Sequence, residues 1–156
     1  MHSQNTKEMK RINQYKKLFG VEGDIDLALL KKSYRNLVKE WHPDKHTADD
    51  TLKEQAEEMS RQITDGYAFL ISIAPETIEK GKEEYLNTIE NAFIDDMHHK
   101  SMLLEISFTD GSTYEYFGVN KTLFSKLVNA DKMQRFARRN IFNSFTYRKS
   151  KKTVEA

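Results

Sequence analysis

The chain has 156 residues, 38% of them hydrophobic and 31% charged, which is enough for one ordinary domain or two small cores. It holds no cysteine, which excludes disulfides and thiolate zinc sites and fits a reducing compartment. A formal net charge of +1 hides an asymmetry: residues 1–120 carry 15 Lys/Arg against 22 Asp/Glu, whereas residues 121–156 carry 10 against 2.

In chain order, Ile12, Tyr15, Leu18 and Phe19, closed by Gly20, predict a short first helix. Leu27, Leu30, Tyr34, Leu37, Val38 and Trp41 then recur at spacings of three and four and share one helical stripe. Lys31, Lys32, Arg35 and Lys39 share another. Asp24 or Asp26 is placed to cap this second helix, and Pro43 ends it, because the residue before a proline is biased away from helical geometry. After a polar loop, Leu52, Ala56, Met59, Ile63, Gly66 and Leu70 predict a third helix that packs along the second as an antiparallel hairpin. The first helix is expected to lie across them.

Pro75 suits a first helical turn, and Ile78, Tyr85, Ile89, Phe93 and Met97 give a narrower stripe interrupted by Gly81, so 75–99 is expected to be a helical connector. Beyond it the period changes. Leu104, Ile106 and Phe108 alternate with Glu105 and Ser107, Asp110-Gly111 suits a tight turn, and Thr113 to Phe117 returns as a second strand. Asn120 or Thr122 can cap a short helix through Leu127 and Val128, and a last helix is expected to carry Phe136, Ile141, Phe142 and Phe145. Two strands alone are marginal, so the two helices must cover the hairpin. The expected fold is mostly α with a small α+β C-terminal part: domains at 10–74 and 100–150, a connector at 75–99 and a basic tail at 151–156.

A His42-Pro43-Asp44 tripeptide is weak evidence alone, but here it ends a helix whose apolar and basic faces are segregated and leads into a second amphipathic helix. Ser33-Tyr-Arg-Asn-Leu-Val-Lys-Glu-Trp-His-Pro-Asp-Lys45, with Leu18-Phe19-Gly20-Val21 before it and Gly66-Tyr-Ala-Phe-Leu70 after it, resembles the J domain of DnaJ-like co-chaperones. The resemblance implies a partner, an Hsp70-type chaperone, whose ATP hydrolysis and capture of a client polypeptide this chain stimulates. It assigns Asp44 to an arginine near the Hsp70 interdomain linker, His42 and Pro43 to shaping the loop, and Lys31 and Arg35 to an acidic Hsp70 surface. Lys32, Lys39 and Lys45 are further candidates. Asn36 stands where the family is often basic, and Ser60 where an aromatic core residue is usual, with Met59 the expected substitute. No glycine/phenylalanine-rich or cysteine-rich module follows residue 74.

Leu103 to Arg148, above all Phe108-Thr-Asp-Gly-Ser-Thr-Tyr-Glu-Tyr-Phe-Gly-Val119, resembles the KTSC domain, a bacterial module, although an upstream leading strand is not evident. RNA binding has been suggested for that family. Here Arg135, Arg138, Arg139, Lys132, Arg148, Lys149, Lys151 and Lys152 are candidates for phosphates, and Tyr114, Tyr116 or Tyr147 for stacking on bases. The alternatives are that the tyrosines face the core and that the basic segment docks on the acidic connector.

The N-terminus lacks the apolar run of a secretory signal, and the longest largely apolar stretch, Tyr67 to Ala74, is too short to span a bilayer. A cytoplasmic protein without a membrane partner is expected. The chain has no phosphate-binding glycine loop, nucleophile motif or metal-ligand spacing, and Pro43 breaks the helix that would align His42 with His46. The expectation is therefore a regulator without catalytic residues, cofactor or metal.

Overall fold

A computed structural model describes residues 7–150; Lys151, Lys152 and the rest of the expected tail lie outside the described residues. The chain divides into two units, Ile12–Thr77 and the described residues from Ile78 onward, the latter grouped with the start of the first helix through Arg11.

In the first unit, α1 (Lys7–Phe19) ends at Gly20, whose φ of +70° lets Val21 N–H reach back to the Lys16 carbonyl at 2.8 Å. Of the two candidate caps for α2 (Leu27–Trp41), Asp26 serves: its carboxylate accepts from Ala28 N and Leu29 N. The helix α3 (Asp50–Ile73) is capped by Asp49 and runs antiparallel to α2, because Trp41 meets Ser60 while Tyr34 stacks on Tyr67 at 4.1 Å. Leu30, Ala56, Ile63, Phe69 and Leu70 are sealed between the helices. Gly66 is required by close approach: a Cβ there would stand 2.8 Å from the Tyr15 ring and 3.1 Å from Phe19. Leu52, expected on the core stripe, is instead 40% exposed. It sits in the first turn of α3, next to the polar loop.

The helix α4 (Pro75–Asn91), whose residues from Ile78 onward belong to the second unit, follows α3 after Ala74 alone, held extended (φ −64°, ψ 141°) by the proline beside it. Residues 75–99 are helical only to Asn91, which corrects the expected extent of the connector. Ile94–Lys100 is a strand, β1, paired antiparallel with β2 (Leu103–Phe108). A bulge at Asp95 breaks the alternation of inward residues, which masks the period-two signal and leaves Phe93 and Met97 at spacings that continue the helical stripe. Phe93 is in fact 64% exposed. β1 is also the leading strand that the KTSC resemblance lacked.

Next come β3 (Thr113–Phe117), α5 (Lys121–Val128), capped by Asn120, and α6 (Met133–Asn140). A fourth strand, β4 (Thr146–Lys149), pairs with β3 and completes an antiparallel sheet of order β1-β2-β3-β4. The expected hairpin is thus half of a sheet. The last helix stops before Ile141 and Phe142, yet both are fully buried, as residues of the turn that leads into β4. Tyr85, Ile89 and Ala92 of α4 and the residue after it join Leu104, Ile106, Phe108, Leu127 and Ala137 in one core.

Thr88 ties α4 to the β2–β3 turn: its hydroxyl donates to Asp110 Oδ2 at 2.7 Å, while Ser112 N–H and Oγ donate to Asp110 Oδ1 at 2.9 and 2.6 Å. Burial alone would raise the Asp110 pKa, but these hydrogen bonds outweigh it and hold the carboxyl below its usual range. A depressed folded-state pKa stabilises above the unfolded value and is lost as pH falls through the folded one. The melting temperature of the C-terminal unit is therefore expected to drop on acidification below the ordinary carboxylate range, and Asp110→Asn to flatten that part of the profile in calorimetry.

Candidate functional site

Pro43 sets the geometry at the end of α2. It places His42 in an extended conformation (φ −58°, ψ 127°) and starts a single 3₁₀ turn, Pro43–Lys45, closed by Lys45 N–H to the His42 carbonyl at 2.9 Å. His42 Nδ1 accepts the Asp44 N–H at 3.2 Å, which puts the ring proton of neutral His42 on Nε2. The Asp44 carboxylate lies 3.7 Å from the same nitrogen and is 91% exposed. It is an outward-facing anion on a short, hydrogen-bonded turn.

Two side chains to which the sequence assigns no such role, His46 and Ser60, brace that turn from below. His46 stacks on Trp41 with ring centroids 5.5 Å apart and donates from Nε2 to the Glu40 carbonyl at 2.9 Å. Ser60, across on α3, donates its hydroxyl to the Trp41 carbonyl at 3.2 Å. The departure at residue 60 thus supplies a hydrogen bond to a helix-terminal carbonyl that would otherwise lack a helical partner. Met59 does not take over an aromatic core position; it is half-buried and lines a shallow groove beside Trp41.

Lys31, Lys32, Arg35 and Lys39 are all exposed, and successive 100° turns of the helix set them on one face away from Leu30. None of them, nor the exposed Lys45, has an ion-pair partner among the described residues. A cationic strip roughly 12 Å long therefore runs along α2 towards the Asp44 turn, with its charges available to an acidic surface.

The C-terminal candidates are divided by the structure. Tyr114 and Tyr116 are 3% and 0% exposed, so their faces are closed to a nucleobase, which corrects that expectation in favour of the core alternative. Tyr85 OH lies 2.9 Å from Tyr116 OH and donates to the Phe142 carbonyl at 2.7 Å, and Tyr147 stacks on Tyr85 at 3.9 Å. Burial pushes all four of these tyrosine pKa values up, so the hydroxyls stay protonated.

Arg138 is also committed. Its guanidinium donates to the Ile89 and Glu90 carbonyls at 3.4 and 3.2 Å, and Gln134, one turn earlier, bridges the Ala92 carbonyl and Ile94 N–H. Together they cap the C-terminus of α4 from α6. Arg138→Ala is expected to cost the unit about 1 kcal/mol by chemical denaturation, and Arg139→Ala almost nothing. Arg148 pairs with Glu115 at 2.5 Å, and Lys149 with Glu84 of α4 at 2.5 Å, a contact with the acidic connector of the kind the sequence suggested. Arg135, Arg139 and Lys132 are exposed.

Among the described residues no group of three or more His, Asp or Glu is placed to hold a metal ion, and no helix is long and apolar enough to cross a membrane.

The chain has a three-helix unit with a His-Pro-Asp turn at the end of a basic helix, followed by a small α+β unit. Family models agree with both modules: a DnaJ domain matches residues 13–77 and a KTSC domain residues 96–145. The chain thus carries a J domain followed by a KTSC domain. Over 61 residues it is 34% identical to the chaperone protein DnaJ of Thermotoga sp. (strain RQ2), covering 39% of this chain and 16% of that one. It is 42% identical over 55 residues to the DnaJ of Mesomycoplasma hyopneumoniae, covering 35% and 15%. With DnaJ homolog subfamily B member 6 of Gallus gallus it shares 33% identity over 75 residues, covering 47% and 22%. The chain therefore spans less than a quarter of the length of these relatives.

Proposed function

We propose that this chain is a co-chaperone that docks on an Hsp70 through the Asp44 turn and the cationic face of α2 and stimulates its ATP hydrolysis. The carrying observation is the exposed Asp44 carboxylate on a turn braced by His42, His46 and Ser60, beside four cations that have no ion-pair partner among the described residues. A carboxylate so presented can take a bidentate arginine, whereas Lys31 and Arg35 raise the association rate and select an acidic partner. The ATP-hydrolysing site belongs to the partner, and the α+β unit acts as an adaptor that sets where the J domain is delivered. Single-turnover ATP hydrolysis by the host's Hsp70, measured with increasing amounts of the chain, tests the proposal. The expected result is stimulation that weakens with salt; an unchanged hydrolysis rate at saturating chain rejects it.

A second reading is favoured by the exposed Lys132, Arg135 and Arg139: the C-terminal unit holds RNA by its phosphates, without stacking by the buried tyrosines. It predicts salt-sensitive RNA binding lost in the Arg135→Ala/Arg139→Ala double variant. No retention of RNA at low salt would exclude it.

A further inference from the structure

β1 ends the sheet: no strand lies beyond it among the described residues, so one row of its backbone groups faces outward. Met97 N–H belongs to that row. It is bonded by the carboxylate of its own neighbour, Asp96, at 2.9 Å. Asp96 also lies 3.2 Å from His98 Nε2, and the two side chains are 63% and 71% exposed.

Edges that avoid pairing commonly carry like charges or proline. This one carries Asp95-Asp96-Met97-His98-His99, a sequence that is its own complement when reversed. Turned antiparallel about Met97, it sets Asp96 opposite His98 of a second copy and His98 opposite the second Asp96. The same register points each outward Met97 N–H at the Met97 carbonyl of the other copy. His99 takes no part, because it donates to the Val119 carbonyl at 2.6 Å and stacks on Phe124. The bulge at Asp95 confines the match to a few residues, and Phe93, 64% exposed just before it, adds apolar surface at each end of the joint.

We infer that the β1 edge is a self-association surface, joining two copies of this chain into one antiparallel sheet in which the Asp96–His98 pair within each copy is exchanged for two pairs between copies. The joint is short, so association is weak and reversible.

Sedimentation equilibrium on the full chain tests it. The mass of the wild type should rise with concentration from 18.3 kDa towards twice that value. Asp96→Lys and His98→Asp each remove both cross-copy pairs and should weaken association about tenfold or more. Mixed one to one they should associate again, since the lysine introduced in one variant then meets the aspartate introduced in the other. Circular dichroism should show both variants folded. A wild type that stays monomeric at the highest concentration reached overturns the inference. So does a dimer that neither variant weakens, or a mixture that associates no better than its components.

Discussion

Asp44→Asn is expected to abolish stimulation of Hsp70 ATP hydrolysis while leaving the melting temperature of the chain unchanged. Asparagine keeps the size and the backbone N–H that donates to His42 Nδ1, so the turn survives. What it removes is the negative charge, 91% exposed and contributing little to folding. Truncating one partner of a hydrogen-bonded charge pair in an interface costs roughly 2–5 kcal/mol, a loss of about thirtyfold or more in the population of the docked state. Single-turnover hydrolysis and thermal denaturation of the same preparation separate the two consequences. Stimulation equal to that of the wild type would show that Asp44 is not the contact. Lys31→Ala and Arg35→Ala should act differently, lowering the apparent affinity by smaller steps that shrink as salt is raised.

Tyr85→Ala is expected to have the largest effect on stability, about 3–5 kcal/mol for the C-terminal unit. The side chain is 2% exposed, stacks on Tyr147 and meets Tyr114 edge-on at 4.9 Å. Its hydroxyl is shared between Tyr116 and the Phe142 carbonyl, so truncation leaves a cavity and strands two buried polar groups. Tyr85→Phe should cost less, about 1–3 kcal/mol, because only the hydrogen bonds go. Urea denaturation followed by near-ultraviolet dichroism of the tyrosines would measure both. If Tyr85→Ala left the C-terminal transition in place, α4 would be a mere linker, and the core that it shares with the sheet would not stabilise the unit.

That result bears on where the C-terminal unit begins. The KTSC match starts at residue 96, yet Tyr85, Thr88 and Ile89 of α4 are buried, the tyrosine and isoleucine within the unit's core. Arg138 and Gln134 cap the end of α4 from α6. Residues outside the recognised family segment are therefore part of what folds.

Much of the J domain was legible in the sequence because its signals are local. A stripe at spacings of three and four, an aspartate cap and a proline stop are each decided within one or two turns, and α2 runs from Leu27 to Trp41 between a cap at Asp26, one of the two candidates, and His42. The hairpin at Asp110-Gly111 was legible for the same reason: Gly111, at φ +90°, takes a conformation its neighbours would resist. Whether Tyr114 and Tyr116 face solvent or core could not be read from alternation, since a strand's two faces are equivalent until something covers one of them. α4 covers it, and both rings are sealed.

The sequence by itself determined the order of the helices, the position of the His-Pro-Asp turn and the segregation of charge along α2, all consequences of backbone periodicity and of proline and glycine chemistry. Only the tertiary structure decided that residues 94–100 form an edge strand, that Arg138 caps a helix and that Ser60 holds the Trp41 carbonyl. The strand is an edge only because the rest of the sheet extends from its other side. The two hydrogen bonds reach 49 and 19 positions along the chain, and a contact at that separation is fixed by how elements pack, which no local pattern encodes.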